Sequence, residues 1–334
     1  MSTEHVDKLA KIGNTPLSRY EGFVPKGCSI HIKEERLNPV GYSHYDRVYK
    51  ALIENFESTG KLRPGDTVVE TTSGTAGISC AAICEIRGYK CKIIIPAGGE
   101  KAREDAIRAH GAEIIFSSAE AYVAGLPMRA KRHLAKNRHE VFLNHSRGED
   151  GGENRTAVAA LAEIGRELLG QLDPIDVAIF AGGNGSSILG PGRILRPKSR
   201  IVVFEPFQSA LAFGMLYGAG EYQRRYHIKP GHLPRHNLPG TSYQGIYAPH
   251  LSIAFRDGLV DEVFLVSDRT TDEHYLRAAY RKIPPEIPRW DAIKLSGYGR
   301  TTLAGVAVAL KIAERERDKN IVLIAYDKDD RYDT

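Results

Sequence analysis

The sequence predicts an α/β protein of two lobes, each a parallel sheet flanked by helices. Three observations carry this. Short β-branched runs alternate with helical patterns, the alternation comes as two separate series, and the chain is 334 residues long. Strand–helix alternation implies parallel sheets covered on both faces. Two series imply two lobes with a cleft between them, and the length suits about two domains of ~150 residues. The expected division is a smaller, mobile lobe at 43–150 and a larger lobe made of 1–42 and 151–334.

The elements follow in order. The stretch EGFVPKGCSIHIKEERLNPV reads as a hairpin leading into the cleft, with Glu34 and Glu35 as surface charges. A helix is expected over 46–58, where Val48, Leu52 and Phe56 form the buried stripe. Lys50 then lies about 200° from Val48, facing water. The runs at 66–70, 91–96, 112–116 and 140–143 read as buried strands, and the helices between them end at Gly88 and Gly111. The second series has strands at 177–180, 200–206, 261–267 and 320–326, with helices at 154–169 and 301–314. Residues 217–249 lack periodicity and read either as a long functional loop or as covering structure. The charged end at 328–334 reads as a solvated tail.

Composition excludes several classes. The balance of 46 basic and 41 acidic residues leaves +5 on a long chain, and no basic block is interleaved with aromatics, so nucleic acid is not the expected partner. The longest apolar runs are far too short to span a bilayer. The first residues contain no apolar signal segment, so a cytoplasmic protein is expected. Cys28, Cys80, Cys84 and Cys91 form no CxxC pair, and no histidine completes a zinc signature beside Cys80 and Cys84. They are expected to be reduced, buried thiols. His232, His236 and His250 match no ligand spacing, and no metal site is expected.

Two glycine-rich turns each follow a strand and open a helix: ETTSGTAG at 70–77 and AGGNGSSILG at 181–190. A helix start leaves backbone N–H groups free, and its dipole favours an anion. Thr72, Ser73, Gly74, Thr75 and Ala76 suit a carboxylate, whereas Gly183, Asn184, Gly185, Ser186 and Ser187 suit a phosphate. A tight turn without a ligand is the alternative for either loop. Neither turn is a Walker A or GxGxxG motif.

Taken in order along the chain, these pieces resemble the cysteine synthase and cystathionine β-synthase family, the fold-type II pyridoxal phosphate enzymes with a tryptophan synthase β-like architecture. IGNTPL at 12–17 resembles the family's opening signature. NPVGYSHYDR resembles its asparagine-proline segment ending in Ser-x-Lys-Asp-Arg, and TSGTAG its Thr-Ser-Gly-Asn-Thr-Gly. GNGSS at 183–187 resembles the cofactor-phosphate loop, and HNLPGTSYQGIYAPHL the segment before the last strands. GRTTLAG resembles the turn whose hydroxyl meets the pyridine nitrogen, a role the resemblance implies for Thr301 or Thr302. It also implies a homodimer and a small anionic substrate.

The departures matter most. Aligning Ser43, Asp46 and Arg47 puts Tyr45 where the family lysine forms its Schiff base, and a phenol cannot do that. One extra residue between Asn38 and Ser43 lets the alignment slip by one, which offers His44 or Tyr42, and neither is an amine. Thr75 replaces the family asparagine. Pyridoxal phosphate is therefore a candidate cofactor, but not as a lysine aldimine. Three readings stay open. The first is an altered enzyme of the lyase or transferase kind, acting on an amino acid or a phosphorylated or carboxylated metabolite in the cleft, with Tyr45, His44 and Ser43 as its catalytic residues and Tyr45 tuned by His44 or Arg47. The second is a non-catalytic scaffold or regulator of an active paralogue. The third is an ordinary pyridoxal phosphate enzyme with a relocated lysine.

Overall fold

The apolar runs that alternate with helices do form two sheets in the computed structural model, which describes residues 3–241 and 246–333. The strands are β1 (Leu17–Arg19), β2 (Ser29–Lys33), β3 (Thr67–Thr71), β4 (Lys90–Pro96), β5 (Glu113–Ser117), β6 (Val141–Phe142), β7 (Val177–Ala181), β8 (Arg200–Pro206), β9 (Glu262–Val266) and β10 (Asn320–Ile324). The chain divides into two compact units. One comprises Met1–Thr15, Glu35–Leu161 and Tyr326–Thr334, and the other Pro16–Glu34 and Ala162–Ala325. The stretch 43–150 falls inside the first unit, which also takes in both chain ends.

The first unit holds a four-stranded parallel sheet in the order β5-β4-β3-β6. Val69 and Ile94 are fully buried there and pack with Ile115, Leu126 and Ala130. Side chains of that size stabilise by about 1.5–3 kcal/mol each when removed from water. Helix Thr75–Arg87 follows β3 and is apolar nearly all round, because it is buried on most of its circumference. Gly88 ends it in the left-handed conformation, as expected. The helix expected over 46–58 spans Tyr45–Ser58, with Val48 and Leu52 buried and Phe56 and Lys50 half-buried.

The second unit holds a six-stranded sheet in the order β1-β2-β10-β7-β8-β9. Only the β1–β2 hairpin is antiparallel. Helix Ser186–Leu195 follows β7, and helix Arg300–Arg315 precedes β10. Within 217–249, the described part includes a short helix, Glu221–Tyr226. Its Tyr222 and Tyr226 rings pack 5.3 and 4.9 Å from Phe207, so this part is covering structure. The motif at 236–251 lies partly outside the described residues, at 242–245.

Candidate functional site

The loop that ends at Tyr45 is fixed by two buried carboxylates of the first unit. Glu35, expected at the surface, is fully buried. It accepts from Arg47 Nε at 2.7 Å and Nη2 at 2.8 Å, from Thr15 Oγ1 at 2.6 Å, and from Asn38 Nδ2 at 2.9 Å. Burial alone would raise its carboxyl, but the Arg47 guanidinium and the Thr15 and Asn38 bonds hold it below its ordinary value. Asn38 ties this cluster to the loop, donating to Ser43 O at 3.2 Å and accepting from Gly13 N at 2.9 Å. The opening signature thus acts as a structural clamp. Asp46 closes the other side, accepting from Val40 N, Gly41 N and Ser79 Oγ at 3.0, 2.8 and 2.7 Å. Burial still pushes its carboxyl up to about 6. Glu34, also expected at the surface, is buried in the second unit and accepts from Ser18 Oγ and from Tyr298 Oη.

The three expected catalytic residues differ in what they can do. Ser43 Oγ accepts from Tyr45 N at 3.0 Å and sits 3.2 Å from Ser79 Oγ, so its hydroxyl is engaged at the helix start. His44 is buried, its Nδ1 3.5 Å from Tyr326 O, and burial pushes it down to about 4, which leaves it neutral at pH 7. Tyr45 is half-buried, and its ring packs 4.1 Å from that of His44. Burial raises the Tyr45 phenol far above its ordinary value, and Tyr326, Glu70 and Asp327 add to this. The expected activation by His44 or Arg47 does not occur, because His44 is uncharged and Arg47 is paired with Glu35. The Tyr45 hydroxyl thus stays protonated at neutral pH and can donate a hydrogen bond, but it is neither a ready acid nor a base. Its hydroxyl has no hydrogen-bond partner among the described residues.

The first glycine turn is built against the C-terminal segment. Thr72 Oγ1 accepts from Gly74 N at 2.9 Å. Gly74, at φ +149°, has no room for a Cβ, which would lie 2.2 Å from Arg103 Cδ. Thr75 Oγ1 donates to Asp327 Oδ2 at 2.8 Å, and Asp327 also accepts from Tyr332 Oη at 3.0 Å. Arg103 Nη2 lies 3.7 Å from that carboxylate, and its guanidinium stacks 4.7 Å from the Tyr332 ring centroid. Burial raises the Asp327 carboxyl, with Arg103 opposing. The tail expected in solvent is therefore partly core, with Arg331 and Tyr332 buried. The N–H groups of Thr75 and Ala76 open the helix and have no partner within it.

Three residues missed by sequence reasoning stand beside Tyr45. Glu70, fully buried at the end of β3, accepts from Thr71 N at 2.7 Å and His145 N at 3.0 Å. His145 Nδ1 lies 3.3 Å from Glu70 Oε2 and 3.0 Å from Tyr49 Oη. The His145 ring meets the Tyr45 ring edge-on at 5.3 Å. The available signal was Glu70, a charge inside an apolar strand, which is seldom buried without a partner.

In the second unit, the other glycine turn is tight. A Cβ on Gly185, at φ +95°, would lie 2.1 Å from Leu251 N, and one on Gly183 would lie 2.7 Å from Gly240 O. Asn184 Oδ1 accepts from Ser186 N at 2.9 Å and Ser186 Oγ at 2.7 Å, capping the helix internally. Asn184 Nδ2 and Thr302 Oγ1 are buried without partners among the described residues. A buried polar atom left unpaired calls for an explanation, and a ligand carrying a phosphate and a ring nitrogen would supply both partners. Thr301, next to it, is also buried. Lys33, unremarked in the sequence, is fully buried, but its ammonium is tied to Glu167 at 2.6 Å and Gln171 at 3.0 Å.

The cysteines are free and buried, as expected, but three of them cluster. Cys80 and Cys84 meet Cys91 of β4, with all three Sγ atoms within 4.8 Å of one another. The third thiol comes from a strand, which the search for CxxC spacing could not register. Among the described residues, the histidines at 232, 236 and 250 join no such cluster.

A family model, "Pyridoxal-phosphate dependent enzyme", matches residues 9–327. The chain belongs to this family. It is 32% identical over 223 residues to a cysteine synthase of Staphylococcus aureus, covering 64% of this chain and 69% of that one. It is 34% identical over 220 residues to cystathionine beta-synthase of Rattus norvegicus, covering 62% of this chain and 37% of that enzyme. Among solved structures, a hydrogen sulfide-producing enzyme from Fusobacterium nucleatum superposes with TM-score 0.77 at 24% identity, over 97% of this chain and 98% of that one. An O-acetylserine dependent cystathionine beta-synthase from Helicobacter pylori gives 0.75 at 22% identity, over 97% and 95%. The fold of this family member is thus fold-type II. Among the described residues, no helix is long and apolar enough to cross a membrane.

Proposed function

We propose that this chain is a cysteine-synthase-like enzyme that holds its ligand without covalent attachment to a lysine, because Tyr45 stands in the lysine's place. One observation carries the reading. The side chain that opens helix Tyr45–Ser58, after a loop clamped by Glu35, Asn38 and Asp46, is a phenol that stays protonated at neutral pH. It offers a hydrogen-bond donor where the family chemistry needs an amine nucleophile. The buried Lys33 does not replace it, since its ammonium is paired with Glu167.

The unpaired Thr302 Oγ1 and Asn184 Nδ2 support retention of the family's cofactor contacts. In this reading, pyridoxal phosphate, when bound, supplies an electron sink for an adjoining amino-acid carbon. Gly183–Ser187 receive its phosphate, and Thr302, with Thr301 beside it, faces its ring nitrogen. Thr72, Ser73, Gly74, Thr75 and Ala76 orient an anionic substrate through the N–H groups at the start of helix Thr75–Arg87. Tyr45 donates a hydrogen bond to that substrate. A homodimer is the expected assembly.

Tyr45→Lys tests the reading. Restoring the amine should let added pyridoxal phosphate attach covalently, with new visible absorbance and a borohydride-stable adduct at residue 45. No attachment in a folded Tyr45→Lys protein would mean that the rest of the cofactor site is gone, and the reading would fall.

A further inference from the structure

We propose that His145 is the proton-transfer group of the Tyr45 site, with Glu70 and Tyr49 as the positioning residues that set its tautomer; this rests on the function proposed above. Glu70 is completely enclosed, yet backbone N–H groups of Thr71 and His145 reach its two oxygens at 2.7 and 3.0 Å. The His145 Nδ1 lies between that carboxylate, at 3.3 Å, and the Tyr49 hydroxyl, at 3.0 Å. Tyr49 stays protonated, because burial and the nearby Glu70 raise its phenol well above its ordinary value. Tyr49 donates its hydroxyl hydrogen bond to Glu70, so its oxygen accepts from Nδ1–H of His145 and the imidazole lone pair is left on Nε2. Nε2 has no hydrogen-bond partner among the described residues.

The neighbours make His145 the proton acceptor of this group. Its ring stands edge-on to Tyr45 at 5.3 Å, with the planes at 86°. His44, on the other side of Tyr45, is pushed down to about 4 and is a weak base. Tyr45 can only donate. The division of labour is then complete. Nε2 of His145 takes the proton of an acidic C–H on a ligand lying at Tyr45, and the electron pair of that bond stays on the ligand. The imidazolium so formed keeps its Nδ1 proton on Tyr49 Oη, with the Glu70 carboxylate 3.3 Å away, and returns the Nε2 proton when the carbon is reprotonated. Tyr45 keeps its proton throughout and donates a hydrogen bond to the ligand.

Two measurements on the full chain test this. The first is long-range proton–nitrogen NMR on protein labelled with nitrogen-15 histidine, with the signal assigned by its loss in His145→Asn. The expected tautomer of the uncharged wild-type ring is Nδ1–H, and Glu70→Gln should shift it toward Nε2–H. An Nε2–H tautomer in wild type overturns the proposal without any variant having to fold. The second follows deuterium entering Cα of L-alanine in D2O with added pyridoxal phosphate. Wild type should exceed the cofactor alone, and His145→Asn should lose that excess by about 100-fold or more while still binding inorganic phosphate. Undiminished exchange in His145→Asn overturns the role of His145. Absence of any excess in wild type, with the Nδ1–H tautomer found, leaves the orientation by Glu70 standing and counts against the proposed function instead.

Discussion

Replacing Arg47 by Met should destabilise the protein by about 3–5 kcal/mol at pH 7, the cost of stranding one partner of a buried ion pair. The magnitude follows from the geometry. Two charge-assisted bonds, at 2.7 and 2.8 Å, end on a carboxylate that is fully buried, from an Arg47 side chain that is only 6% exposed. Methionine fills much of the same volume, so the loss is electrostatic rather than a cavity. Thr15 and Asn38 remain, which keeps the effect within that range. The sign of the pH dependence is the sharper part. In wild type, the Glu35 pKa is held below its unfolded value, so its contribution is present above the unfolded pKa and is lost as pH falls through the folded one. In Arg47→Met, burial acts unopposed and raises the Glu35 pKa, so acid relieves the stranded charge. The stability gap between the two proteins should therefore narrow from pH 7 toward pH 4. Urea unfolding at several pH values, read by fluorescence and circular dichroism to check for coincident transitions, measures it. A gap below about 1 kcal/mol, or one that does not change with pH, would refute the clamp, since a surface pair gives values of that size.

Three further outcomes are expected. His44→Gln should flatten part of the acid limb of stability. The folded pKa of His44 is lowered by burial to about 4, so its contribution is present above the unfolded value of 6.5 and is lost as pH falls between them; comparing variant with wild type separates this from Asp46, whose raised pKa acts in the opposite direction. Thr302→Val should stabilise the ligand-free protein by about 1 kcal/mol, because it removes a buried unpaired hydroxyl, while weakening pyridoxal phosphate binding by roughly tenfold. Calorimetric titration should show Ser187→Asp losing inorganic phosphate binding through repulsion at the helix start. Gly185 cannot serve that purpose, since any side chain there meets the backbone at Leu251.

The strands were legible because parallel strands buried on both faces must be apolar throughout, as in Lys90–Pro96 and Val177–Ala181. The two turns were legible because glycine and hydroxyl residues cluster where a strand hands over to a helix. The buried charges were not legible. Glu35 and Arg331 read as solvent-facing, Asp327 and Lys33 went unremarked, and the partners of Asp327 and Lys33 lie far away in sequence, as Thr75 does from Asp327 and Glu167 from Lys33. His145 was invisible for the same reason, since it meets Glu70 and Tyr49 only after β6 pairs beside β3. The chemistry assigned to Ser43 and His44 came from adjacency in sequence. Adjacent residues at a helix start point in different directions, and both proved to be engaged elsewhere.

The central claim is tested most directly by adding pyridoxal phosphate to the unmodified protein, reducing with borohydride, and mapping the peptides by mass spectrometry. The account predicts no pyridoxyl-lysine anywhere in the chain and a cofactor that dialyses away, because Tyr45 offers no amine and Lys33 is held as a paired ammonium. A stoichiometric pyridoxyl adduct on any lysine would contradict it and return the protein to ordinary family chemistry.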